Sequence, residues 1–418
     1  MISWFRRQRP PLERDVVTFS LENALTQDGC ALCWLLANQG RRSLWYLLWE
    51  RVNEPSTQER LRADLGYCAG HTWLLCEIET KEMGSFLGIT ILFASLMREA
   101  ARRLDAGQEL GAGHHCEECR TDRRANATYL SRLVQHLEDP TWAAQWGPRL
   151  RLCLPHSRLA SVLARGEVET ILRVADQAMA ADRQRLVTTA TPADGQRHLK
   201  YVQDMFFGYT PDSAARDRAP RECPLCRAEA QQQATLVDWP VDDSAPVPCR
   251  QHAPLFEQRI GLQELLRRYL AAAELIQPVS IPTGPKLWWK HDQPARPEIF
   301  VPPCPVCAAL ARQRPALAAA FWQDLQPRSQ IAFQAPLCLS HLDLVLAAAP
   351  DQAARVSLRR EQASRLRMLA AELDELARKQ DWNHRDEPLG PELRSWRRAA
   401  NCLSGWLAGA STLTISWG

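Results

Sequence analysis

Lysine is nearly missing from this chain: five of 418 residues, so arginine supplies 46 of the 51 basic side chains. With alanine abundant beside it, the bias reads as the mark of a GC-rich genome rather than of phosphate binding, for which arginine is nevertheless well suited. A formal net charge of +3 is too small to point to nucleic acid or a membrane surface. Long apolar runs are also absent. The longest, FLGITILFASLM from Phe86 to Met97, has twelve residues where about 20 are needed to span a bilayer. The first residues, MISWFRRQRPPLERD, are basic with no apolar core behind them, so no signal peptide is expected and the compartment is taken as cytoplasmic. There is no P-loop, G-x-G-x-x-G, H-E-x-x-H or G-x-S-x-G, which removes the common nucleotide, metalloprotease and hydrolase signatures.

Cysteine is plentiful instead, at fourteen. In a reducing compartment that number calls for a metal before it calls for disulfides. Twelve of the cysteines and four of the ten histidines obey one rule: C-x-x-C, then C-x-x-H beginning 23 to 35 positions after the second cysteine. The four copies are Cys30, Cys33, Cys68 and His71; Cys116, Cys119, Cys153 and His156; Cys223, Cys226, Cys249 and His252; and Cys304, Cys307, Cys338 and His341. Cys76 and Cys402 are left over. A two-residue spacer lets both side chains of a half-site face one ion, and two half-sites supply three thiolates and an imidazole in a tetrahedron. The expectation is one ion per copy, four Zn2+ per chain, with an iron–sulfur cluster as the minor alternative. Haem attachment is excluded because C-x-x-C is never followed by histidine. Prolines at 224 and 305, inside C-P-x-C, read as a rigid turn between ligands. His114 and His115, beside Cys116, are competing ligand candidates or plain loop residues.

Everything between the ligands reads as helix. SLWYLLWERV suits one helix, broken at Pro55. STQERLRADLG suits the next, with a Ser56/Glu59 capping box and Gly66 as terminator. Apolar residues recur at helical spacing behind each C-x-x-H, as in Val168, Leu172, Ala175 and Met179, or Leu262, Leu266, Tyr269 and Ala273, or Leu366, Leu369, Leu373 and Leu376. The expected architecture is all-α: four helical modules, each clipped by a Cys3His metal site. Boundaries follow composition: an arm at 1–29, modules at 30–110, 111–215 and 216–285, and a linker with the fourth module and C-terminal helices at 286–418. Polar or proline-rich stretches at 107–113, 188–195, 210–220 and 278–303 divide them, with two double modules as one grouping.

LWYLLWERVNEPSTQERLRADLGYCAGHTWLL and DELARKQDWNHRDEPLGPELRSWRRAANCLSG resemble a family of bacterial proteins known as a domain of unknown function. Its members pair C-P-x-C with G-x-C-x-x-H and follow the second motif with a helix. The likeness is best in modules one and four; module two lacks the proline and module three has a shortened middle. The resemblance implies a helical zinc-binding protein and no activity.

Four full ligand sets point to structural rather than catalytic metal, since a catalytic zinc keeps a position open. The function expected is a non-catalytic helical scaffold that binds a protein partner or itself. Nucleic-acid binding is the weaker alternative, through Arg6, Arg7, Arg9, Arg98, Arg102, Arg103, Arg120, Arg123, Arg124, Arg359 and Arg360. A thiolate redox sensor is a further one. Trp288 and Trp289 either pin the linker or anchor a partner. The 381–387 run, DWNHRDE, with Trp396 lines a pocket or forms a solvated loop. The Phe86–Met97 segment is either deeply buried or an oligomer contact, and Cys76 a spare ligand, a redox partner or a small core residue.

Overall fold

The computed structural model describes residues 15–111, 116–189, 195–208, 223–236, 247–273, 276–278, 299–300, 304–325, 337–384 and 386–405. Arg6, Arg7, Arg9, His114, His115, Trp288 and Trp289 lie outside these, as does most of the stretches at 188–195, 210–220 and 278–303. Seventeen α-helices make up the described chain, as the apolar periodicity requires. In the first half they are α1 (Val16–Ala24), α2 (Ala31–Tyr46), α3 (Pro55–Asp64), α4 (Ala69–Glu77), α5 (Leu87–Asp105), α6 (Glu117–Leu137), α7 (Pro140–Trp146), α8 (Leu154–Leu163), α9 (Glu167–Thr189) and α10 (Gly195–Phe207). The second half has α11 (Pro224–Leu236), α12 (Ala253–Ile260), α13 (Leu262–Ala273), α14 (Pro305–Leu325), α15 (Leu339–Ala347), α16 (Gln352–Arg378) and α17 (Ser395–Ser404). Two-residue antiparallel strands, Gln277–Pro278 against Ile299–Phe300, are the one extended pairing among the described residues.

Local signals are mostly where the sequence places them. Gly66 ends α3 at φ +96°, its N–H bonded to the Leu61 carbonyl at 2.8 Å. The capping box is not realised. Pro55, pre-set for a first helical position, starts α3 one residue early with Glu54 at the N-cap, and Ser56 and Thr57 donate their hydroxyls to Glu54 instead. The prolines of C-P-x-C likewise open α11 and α14 rather than forming turns.

The two halves use their helices in parallel ways. α2 packs on α6 and α6 on α8 in the first; α11 packs on α14 and α14 on α15 in the second. They also interlock. α5 lies along α16 and touches α17, while α13 touches α9 and α10. Each half therefore lays the helix behind its first C-x-x-H against the closing helices of the other. The Phe86–Met97 segment is accounted for here: Ile89, Leu92, Phe93, Leu96 and Met97 are all at most 3% exposed. Across from them Leu358, Leu366, Leu369, Leu373 and Leu376 are buried on α16, each such side chain contributing about 1.5–3 kcal/mol on leaving water. Ion pairs Arg98–Asp374 and Arg367–Asp105 border this contact.

Candidate metal centres

Each of the eight half-sites stands at the start of a helix. In all eight, the carbonyl of the leading cysteine accepts from the backbone N–H four residues on: Trp34, Thr72, Arg120, Ser157, Arg227, Ala253, Ala308 and Leu342. The leading cysteine thus sits at or beside the N-cap, and the ligand three residues later projects from the first turn onto the same side. Free N–H groups and the positive end of the helix dipole face the sulfurs there and favour the thiolate.

The half-sites meet in four groups, each of three cysteines and one histidine whose donor atoms all lie within 4.8 Å of one another. All the expected ligand residues fall within these groups. The partnering differs from the expectation of one ion per sequence module. Cys30 and Cys33 meet Cys153 and His156, and Cys68 and His71 meet Cys116 and Cys119. The second half repeats this: Cys223 and Cys226 with Cys338 and His341, and Cys249 and His252 with Cys304 and Cys307. First half-site pairs with fourth, second with third. The intervening helices carry each C-x-x-C away from the C-x-x-H that follows it, so the nearest helix start in space belongs to the next module.

The geometry suits a tetrahedral ion. Zinc bonds of about 2.3 Å to sulfur and about 2.0–2.1 Å to nitrogen imply S···S edges near 3.8 Å and S···N edges near 3.6 Å. Observed S···S distances include 3.5 Å (Cys33–Cys153), 3.6 Å (Cys68–Cys119), 3.7 Å (Cys226–Cys338) and 3.7 Å (Cys249–Cys307). In every group the histidine presents Nδ1, at 3.1 to 3.5 Å from the sulfurs. Charge argues the same way. In each group one thiol is pushed down and another up, because buried sulfurs this close cannot all ionise unaided. Burial and its sulfur neighbours push Cys33 well above the usual thiol range. Cys30 falls well below it despite burial, through hydrogen bonds from Cys153 and Cys33 and the charge of His156. Cys68 is lowered and Cys119 raised, both chiefly through Cys116. A divalent cation at the centre would offset two of the three thiolate charges.

Behind the ligands stand residues that no sequence motif marks. His71 Nε2 is 3.1 Å from Asp122 Oδ2 and His156 Nε2 is 3.0 Å from Asn126 Oδ1. His341 Nε2 is 3.2 Å from Glu229 Oε1, which also accepts from Arg314 Nε at 2.8 Å. Burial alone would lower His71, but Asp122 and the sulfurs outweigh it and hold it well above the ordinary range. Asp122 and Glu229 each follow the second cysteine of a C-x-x-C by three positions, one helical turn on, which is the signal that could have found them. Two glycines close over the first and third groups. Gly208, ending α10 at φ +70°, leaves little room for a Cβ, which would fall 3.2 Å from Cys153 Sγ. At Gly405, ending α17 at φ +63°, a Cβ would lie 3.4 Å from Cys338 Sγ, close contact without a clash. α10 also ties the halves together, since Arg250 in the turn between Cys249 and His252 pairs with Asp204 and the Gly208 carbonyl.

Other candidates are structural. Cys76 and Cys402 join no metal group and are buried, 0% and 3% exposed. Asp381 accepts from Asn383 and Glu387 pairs with His384 and with Arg378 at the end of α16, so this run is a surface loop held to itself and to α16, with Trp382 72% exposed. Trp396 stacks on Phe86 at 5.8 Å. Several arginines offered for nucleic acid are paired: Arg98 with Asp374, Arg102 and Arg103 with Glu99, Arg120 with Asp64 and Glu117. No helix among the described residues is long and apolar enough to cross a membrane. No family model, curated protein or solved structure matches the chain.

Proposed function

We propose that the protein is a zinc-binding helical scaffold that acts through its surfaces rather than through catalysis. The observation that carries the reading is the convergence of eight helix starts into four groups of three thiols and one imidazole. Each is a complete tetrahedral set with no position reserved for a substrate. A site of this kind contributes roughly 10–16 kcal/mol of apparent binding energy, against a domain stability of about 5–15 kcal/mol, so the ions are what the fold depends on. Membership of the bacterial family that modules one and four resemble belongs to this reading, as does a cytoplasmic location; the motifs and the wealth of thiols support them.

The scaffold's occupant is a protein partner or a second copy. Trp45 and Trp49 support this: they stack at 5.6 Å beside Tyr46 while 38%, 67% and, for the tyrosine, 52% exposed, an unusual outlay of aromatic surface. Redox sensing is the second reading, favoured by the partial exposure of Cys33, Cys68, Cys119, Cys249 and Cys307. Elemental analysis of purified protein decides the first claim. Close to four zinc ions per chain are expected; iron with sulfide, or no metal, would overturn it. Retention of all four ions under micromolar peroxide would exclude the redox reading.

A further inference from the structure

The four groups differ at the back of the imidazole. His71, His156 and His341 each have an oxygen acceptor at Nε2, whereas His252, 0% exposed, has no partner for Nε2 among the described residues. The sequence explains the difference. Where α6 carries Asp122, three residues after Cys119, α14 carries Leu310, three after Cys307 and 1% exposed. α14 thus offers His252 no acceptor at the position from which α6 serves His71.

Ligation through Nδ1 forces the imidazole proton onto Nε2. In three groups that N–H is accepted, which fixes the tautomer and makes Nδ1 a better donor. In the fourth it is buried with no acceptor among the described residues, an unmet hydrogen bond whose cost falls on the metal-bound form. Loss of such an outer partner typically weakens metal binding 10–100-fold. Exposure does not account for the contrast, because Cys68 and Cys119 of the second group are partly exposed just as Cys249 and Cys307 are.

Resting on the zinc reading above, we propose that the group of Cys249, His252, Cys304 and Cys307 is the exchangeable site of the protein, which surrenders its ion before the other three. Arg250, between two of its ligands, holds the end of α10, so the labile ion sits at the contact between the halves.

The test is zinc release from the full-length loaded protein into excess 4-(2-pyridylazo)resorcinol, with iodoacetamide quenching and mapping of labelled cysteines. One ion in four is expected to leave 10–100-fold faster, with Cys249, Cys304 and Cys307 labelled first. Leu310→Asn, which restores an acceptor, is expected to slow that phase toward the others. Asp122→Ala is expected to bring the second group into it, labelling Cys68, Cys116 and Cys119; this variant decides the matter should Leu310→Asn fail to fold. Four ions leaving at one rate, or another group leaving first, would overturn the inference alone. Absence of bound zinc at the outset would overturn the zinc reading with it.

Discussion

Replacing Cys153 with serine separates the nested pairing from a modular one. Cys153 lies 120 positions from Cys33, and their sulfurs are 3.5 Å apart. An ion joining them closes a loop of that length, and chain entropy puts such a closure at about 5 kcal/mol. That is a large share of a domain's net stability of about 5–15 kcal/mol. Loss of one thiolate is expected to drop the metal count from about four to about three and to free the start of α2 from that of α8. Alkylation of the folded variant with peptide mapping is the assay. Cys30 and Cys33 become reactive, far away in sequence, while Cys116 and Cys119, the nearest upstream C-x-x-C, stay protected. Labelling of Cys116 and Cys119 with Cys30 and Cys33 still protected would refute the pairing, whatever the metal count.

Gly208→Ala places a Cβ 3.2 Å from Cys153 Sγ at φ +70°; a loss of about 1–3 kcal/mol is expected in chemical melts, and a loss no greater than that of Gly29→Ala, which meets nothing within 4 Å, would show that the glycine does not close the site. Glu79, 3% exposed, accepts from the Gly88 and Ile89 N–H groups at 2.6 and 2.5 Å. Burial raises its pKa, so its contribution to stability is greatest below the ordinary carboxylate range and is lost as pH rises through the folded value. The stability of wild type relative to Glu79→Gln should therefore fall from pH 4.5 to pH 8 in urea melts; a rise or a flat difference would contradict this. Asp15 caps α1 through Thr18 N–H at 2.8 Å, and that bond, with the Thr18 hydroxyl and Arg132, holds its carboxyl down at about 2. Its contribution is present above the ordinary value and lost as pH falls toward 2, and Asp15→Ala should cost about 1 kcal/mol at neutral pH; an unchanged melt would remove the cap.

The ligands were legible because metal chemistry demands specific atoms at fixed local spacing. Cys68 and His71 share the first turn of α4 whatever surrounds them. Which helix start faces which is a tertiary matter, and nothing in the spacing of Cys33 and Cys68 says that α2 and α3 lead away from a common ion. The helix at Phe86–Met97 was legible as apolar nearly all round, but its cover, α16, begins at Gln352. Asp122, Asn126 and Glu229 escaped notice because an acid or amide on a charged helix is ordinary until a histidine Nε2 is seen against it. The Ser56 capping box failed for a local reason: Pro55 reaches the helical φ first, and Glu54 engages the hydroxyl meant for the backbone.

Anomalous diffraction at the zinc absorption edge from crystals of the full chain tests the central claim most directly. Four peaks are predicted, each within bonding distance of three sulfurs and one Nδ1, the first between Cys30, Cys33, Cys153 and His156. A peak between Cys30, Cys33, Cys68 and His71, or no peaks at the zinc edge, would contradict it.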